Sequence, residues 1–262
     1  MHSSTNTINS LSLLFHKEGF SFCAYDENGN QGKVSHFKVT HSNRWEIEVI
    51  KELEINLRLR RNYENVSTAF VSSFFNLIPD SYSNISSEVL LNLSEAEFEN
   101  NAILKNQTKY ESAFVYGTSQ LVLDKLNELY GKINFHHSGQ VFLNSILFSK
   151  QSELHLNHYQ NQLEVVITNE KGILFYNLFE VQSDEDILFY TLFALEQLDL
   201  DANKIELKCY GKLLPGTSVY QTLKKYIRYV SPAIKNEEFL ENYTLLNLIK
   251  CASSPEVSEE KE

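Results

Sequence analysis

Leu13-Leu14-Phe15-His16-Lys17-Glu18-Gly19-Phe20-Ser21-Phe22 returns as Val166-Ile167-Thr168-Asn169-Glu170-Lys171-Gly172-Ile173-Leu174-Phe175, at an offset of 153 (13 to 166). Each stretch is an apolar run, a four-residue turn closing on Gly, and a second apolar run. Gly accepts the backbone angles that a tight reversal needs, so both read as β-hairpins. A repeated hairpin predicts two related α/β units.

Around the first hairpin, Asp26-Glu27-Asn28-Gly29 marks a further turn and residues 34–40 a third strand. Trp45, Val49, Ile50, Leu53 and Leu57 recur at helical spacing and predict a helix over 44–60. Strands follow at 66–71, 74–78, 102–107 and 112–116, with a short helix at 87–93. Thr118 is the expected cap of a helix carrying Leu121, Val122, Leu126 and Leu129 and closed by Gly131. A strand at 132–135 and a helix at 138–148 complete the first half.

The second half reads as strands at 153–158, 163–168 and 173–179, then a helix through Leu198 opened by the capping box Ser183-Asp184-Glu185-Asp186. A strand at 204–210 and helices at 217–228 and 239–249 follow. The expected organisation is a disordered start at 1–10, a first lobe at 11–150, a second at 151–250, and an acidic disordered tail at 251–262.

Composition narrows the chemistry. Lys and Arg number 23 against 34 Asp and Glu, a net charge of −11, which repels phosphate backbones and argues against nucleic-acid binding. Arg58, Arg60 and Arg61 are the one basic cluster that speaks for it. Cys23, Cys209 and Cys251 are dispersed and odd in number, with no Cys-x-x-Cys pair, which fits a reducing compartment. No apolar run approaches a membrane span, so the expectation is a cytoplasmic protein without membrane insertion. Only 9 Gly are present, where average usage would give about 18.

Two units of hairpins, strands and helices resemble the actin-like ATPase fold, a duplicated RNase H-like unit with mixed sheets and flanking helices. Phe74-Phe75-Asn76-Leu77-Ile78-Pro79, the helix after Tyr116-Gly117, Phe135-His136-His137-Ser138 and the Lys17-Glu18-Gly19 hairpin resemble a bacterial family of unknown function assigned to that fold. Its members are similar to the actin-like adaptors of pilus-assembly and secretion systems.

Active members of the fold place Asp-x-Gly at the first hairpin and a second Asp with Gly at the matching one. Asp positions Mg²⁺ or water, and Gly lets backbone N–H groups meet phosphate. Here the turns are His16-Lys17-Glu18-Gly19 and Asn169-Glu170-Lys171-Gly172, without Asp, and the expected adenosine loop is Tyr210-Gly211-Lys212 with one Gly. If ATP binds, the resemblance implies that Gly19, Gly172, Gly211 and Lys212 line its site; Glu18 and Glu170 would hold a metal only by facing the cleft.

Other motifs yield less. Gly211 to Ser218 mimics a phosphate loop, but Gly216 stands where the Lys should be, so helix capping by Thr217 or Ser218 is expected instead. Residues 11–15 carry no carboxylate for nuclease metals. His136-His137 and His155/His158 are weak metal candidates, and Cys23 and Cys209 read as core. The resulting expectation is a non-catalytic adaptor or scaffold that binds an unidentified protein partner. The alternative is a nucleotide-binding regulatory protein with weak or no ATPase activity.

Overall fold

A computed structural model describes residues 8–92, 101–131 and 133–251. The first half contains β1 (Ile8–His16), β2 (Gly19–Asp26), β3 (Ser35–Lys38), α1 (Trp45–Ile55) and β4 (Asn65–Phe70). An insertion then holds β5 (Phe75–Pro79), α2 (Ser87–Asn92), β6 (Asn101–Gln107) and β7 (Ser112–Ser119). It is followed by α3 (Gln120–Tyr130), β8 (Asn134–His137) and α4 (Ser138–Ser145). The second half runs β9 (Glu153–Tyr159), β10 (Gln162–Asn169), β11 (Gly172–Glu180), α5 (Asp184–Gln197), β12 (Glu206–Gly211), α6 (Ser218–Tyr226), β13 (Tyr229–Pro232), α7 (Glu237–Glu241) and α8 (Tyr243–Cys251).

Two five-stranded sheets have the same order, β3-β2-β1-β4-β8 and β11-β10-β9-β12-β13. In each, three antiparallel strands lead into two parallel ones. The insertion forms a separate antiparallel sheet, β5-β7-β6.

The duplication is real, but its register differs from the one the sequence suggests. Val71 N–H donates to the Phe15 carbonyl at 2.8 Å, and Lys212 N–H donates to the His158 carbonyl at 2.7 Å. Val39 N–H donates to the Glu18 carbonyl and Val181 N–H to the Asn161 carbonyl, both at 2.8 Å. His16 is therefore the counterpart of Tyr159, a displacement of 143 (16 to 159). The β1–β2 turn corresponds to Gln160-Asn161 between β9 and β10, not to Glu170-Lys171 between β10 and β11. The sequence match arose because Gly19 and Gly172 close their turns at φ of 137° and 136°. The true counterpart turn uses Gln160 at φ 53° and carries no Gly to mark it.

Both faces of the first sheet are covered, so its strands read as nearly unbroken apolar runs. Leu11, Leu13 and Phe15 pack with Val49 and Leu53 of α1 and Val122 and Leu126 of α3. Leu14, on the opposite face, packs with Leu245, Leu246 and Leu248 of α8 and Val141 of α4. The last helix thus crosses back onto the first sheet. Phe15 stacks on Phe70 at 5.1 Å and sits 5.2 Å from Phe20, so an aromatic cluster marks the end of β1. In the second sheet Leu154, Leu156, Leu163, Val165 and Ile167 face α5 and α6.

Several boundaries move. The first helix stops at Ile55, because Asn56 turns extended (ψ 110°) and its side chain accepts from Arg58 N–H at 3.0 Å. Ser119, not Thr118, caps α3: its hydroxyl accepts from Val122 N–H at 3.3 Å, one residue later than expected. The helix expected at 239–249 is two helices broken at Asn242, whose φ and ψ are −110° and 28°. The strand β13 was missed: it is a four-residue edge strand ending in Pro. The segment expected to be disordered at 1–10 contributes residues from Ile8 onward to β1. The remainder of that segment and residues 252–262 lie outside the described residues.

Candidate inter-lobe cleft

The β1–β2 turn and the β9–β10 turn meet at a cleft of about 340 Å³. His16, Glu18 and Ser21 line it from the first hairpin, and His36, Phe37 and Lys38 from β3. Asn157, Tyr159 and Gln160 line it from β9 and its turn, Lys212 from the end of β12, and residues 241–245 from the α7–α8 corner.

Of the four residues expected to hold a nucleotide, only Lys212 lines this space. Its ammonium donates to Gln160 Oε1 at 3.1 Å. Gly19 and Gly211 adjoin the cleft, but their missing side chains are used by the protein itself. A Cβ on Gly19 would collide with the Phe37 carbonyl of β3, and one on Gly211 with the His158 carbonyl of β9. Gly172 has open space around it but closes the β10–β11 turn, at the end of β10 opposite the cleft. Its assignment to the cleft is corrected: the symmetry-related turn is Gln160-Asn161.

The cleft is nearly balanced in charge. Lys38 pairs with Glu18 at 3.1 Å, and Glu241 and Lys212 both line the cleft. His16 is 6% exposed, and neither ring nitrogen has a partner. Burial pulls its pKa down to about 4, against a smaller upward pull from Glu18, so the ring is neutral at pH 7. His36 Nδ1 lies 2.8 Å from the Ser21 hydroxyl. A second cavity of about 330 Å³, lined by Phe15, Trp45, Phe70 and Ser72, also reaches His16.

Beneath the cleft the halves are bolted together. Glu164 on β10 is fully buried. It accepts from Asn157 Nδ2 at 2.7 Å, the Tyr176 hydroxyl at 2.9 Å and the Ser138 hydroxyl of α4 at 3.1 Å. Asn157 also donates to Thr244 of α8 at 2.9 Å, so the network joins the second sheet to α4 and α8. Burial outweighs these hydrogen bonds and pushes the Glu164 pKa up to about 7. Tyr176 is wedged edge-on against Phe75 and Phe114, and Gly139 gives its hydroxyl room. The sequence reading missed this network; its signal is Glu164 among Leu163, Val165, Val166 and Ile167.

Most of the remaining candidates have partners within the fold. His137 caps α4: its Nδ1 accepts from Gly139 N–H at 3.0 Å, and its Nε2 meets the Ser72 carbonyl at 2.9 Å. His136 pairs with Gln140 at 2.8 Å, and His155 with the Tyr210 hydroxyl at 3.2 Å. Cys23 and Cys209 are buried free thiols. Thr217 caps α6 by accepting from Tyr220 N–H. Arg58 is tied to Ser35 at 2.6 Å and lies over the Phe22 ring, so it is not part of a free basic patch. Among the described residues no three His, Cys, Asp or Glu side chains gather to hold a metal. No helix among them is long and apolar enough to cross a membrane.

Residues 2–230 match the family described as Protein of unknown function (DUF3822). The chain belongs to this family. The DUF3822 chain is 21% identical to a Bacteroides thetaiotaomicron VPI-5482 protein solved as one "with actin-like ATPase fold and unknown function". That comparison covers 96% of this chain and 99% of the other, at a TM-score of 0.81. The chain is also similar to a structure from the PilM-PilN type IV pilus biogenesis complex, at 10% identity, 95% and 99% coverage and TM-score 0.58. It resembles the cytoplasmic domain of EpsL, an inner membrane component of the Vibrio cholerae type II secretion system, at 14% identity, 92% and 93% coverage and TM-score 0.53. These likenesses establish the actin-like ATPase fold. No curated protein matches the chain significantly.

Proposed function

We propose that this DUF3822 protein is a non-catalytic cytoplasmic adaptor or scaffold, built of lobes at 11–150 and 151–250, with a degenerate nucleotide site between them. One observation carries the reading. The two turns facing the cleft, Lys17-Glu18 and Gln160-Asn161, contain no Asp, and the adjoining Gly19 and Gly211 spend their open faces on the chain's own carbonyls. A triphosphate would meet neither a metal-positioning carboxylate of the expected kind nor a bare glycine backbone. The pilus and secretion proteins that share the fold, one of them solved in a complex, support partner binding as the role. Calorimetric titration with ATP and Mg²⁺ is expected to give no binding heat; micromolar binding with turnover would overturn the proposal.

Lys212, standing in the cleft beside Phe37, Tyr159 and Tyr243, favours the second reading, a nucleotide-binding regulatory protein. On that reading ATP raises the melting temperature, and Lys212→Glu abolishes the rise.

A further inference from the structure

The outer face of α5 carries two large aromatic side chains that the fold does not use. Phe189 is 60% exposed and Phe193 41% exposed, one turn apart, with their rings stacked at 5.9 Å. They are not loose. Tyr190 lies edge-on to Phe189 at 5.3 Å and stacks at 4.1 Å on Phe179 of β11, so a four-ring ladder runs from the edge strand out to solvent. A pre-ordered, exposed aromatic pair loses little freedom when covered, which is the property of interface anchors.

Charge selects the occupant. The helix has no Lys or Arg, and exposed Glu185 and Glu196 bracket the aromatic pair at its two ends. Among the described residues neither Glu has an ion-pair partner. Asp186 is taken by the capping box, and Asp184 accepts from the Ser218 hydroxyl. A second copy would set these acids against each other on a chain of charge −11. Anionic lipid and nucleic acid are repelled for the same reason. A segment with Lys or Arg flanking apolar residues fits: its apolar face covers the rings, its cations meet the two carboxylates, and a cation can lie on an exposed ring face.

We propose that the outer face of α5 docks a cationic amphipathic helix of another protein. This deepens the adaptor reading and rests on it for the class of occupant, while the nucleotide titration above fails or succeeds independently. The test is fluorescence anisotropy with a labelled helical peptide of Lys and Leu on opposite faces, against the full chain. Binding is expected to weaken about tenfold or more in Phe189→Ala/Phe193→Ala. Glu185→Lys/Glu196→Lys should weaken it comparably, whereas Glu64→Lys/Glu88→Lys, exposed positions in the first half and a control for net charge, should leave it unchanged. An unchanged melting temperature in the aromatic variant would show that folding is intact. Equal binding of the aromatic variant, equal binding of a Glu/Leu peptide, or a concentration-dependent dimer abolished by Phe193→Ala would overturn the proposal.

Discussion

At the scale of single residues, the glycines separate two needs that look identical in a sequence. Gly19 and Gly211 have positive φ and a backbone carbonyl pressed against the missing side chain. Gly172 has positive φ alone, in open space. Gly19→Ala and Gly211→Ala should each destabilise beyond the roughly 1–2 kcal/mol of a misplaced φ, and Gly172→Ala by no more than that, as urea melts would show. Equal losses would mean that crowding by the carbonyls contributes nothing. Glu164 is the residue whose role was least legible. A carboxylate in a strand reads as an exposed position, and only the convergence of Ser138, Asn157 and Tyr176 makes it a buried hub.

At the scale of elements, the local signals that worked are those whose partners lie within a few residues. The capping box of α5 is such a case: the Ser183 hydroxyl accepts from Asp186 N–H, and Asp186 reaches back to Ser183 N–H at 3.1 Å. Ser183→Ala should cost about 1 kcal/mol of stability, measured by denaturant unfolding; a neutral result would show that tertiary packing alone holds the helix start. Hairpins were legible for the same reason, but their place in the sheet was not. The first hairpin joins the first and second strands of its sheet, while the look-alike at Gly172 joins the second and third. Turn chemistry records how the chain reverses, not which strands it joins. The break at Asn242 and the strand β13 escaped for a related cause: both depend on neighbours distant in sequence.

At the scale of the whole molecule, buried titratable groups tie stability to pH. His16, His137, His155 and His158 have pKa values pulled to about 4 from 6.5, in each case chiefly by burial. Between those values the unfolded chain binds protons that the folded chain refuses, so stability falls as pH falls through that window. Glu164 has the opposite sign. Raised to about 7, it holds a proton in the folded state that the unfolded carboxylate has lost, so its contribution declines as pH rises toward 7. Four His outweigh one Glu, and the melting temperature should drop from pH ~6.5 toward ~4.5, more steeply in Glu164→Gln. A flat calorimetric profile over that range would contradict it. The sequence by itself determined the α/β class, the duplication, most helix and strand identities and the lack of Asp at the expected turns, because these follow from periodicity, turn chemistry and residue type. Only the tertiary structure decided the register of the duplication, the turn that faces the cleft, the self-filled glycines and the Glu164 bolt. Each of these depends on which distant backbone or side chain comes to lie against a residue, and the packing of sheet on helix determines that.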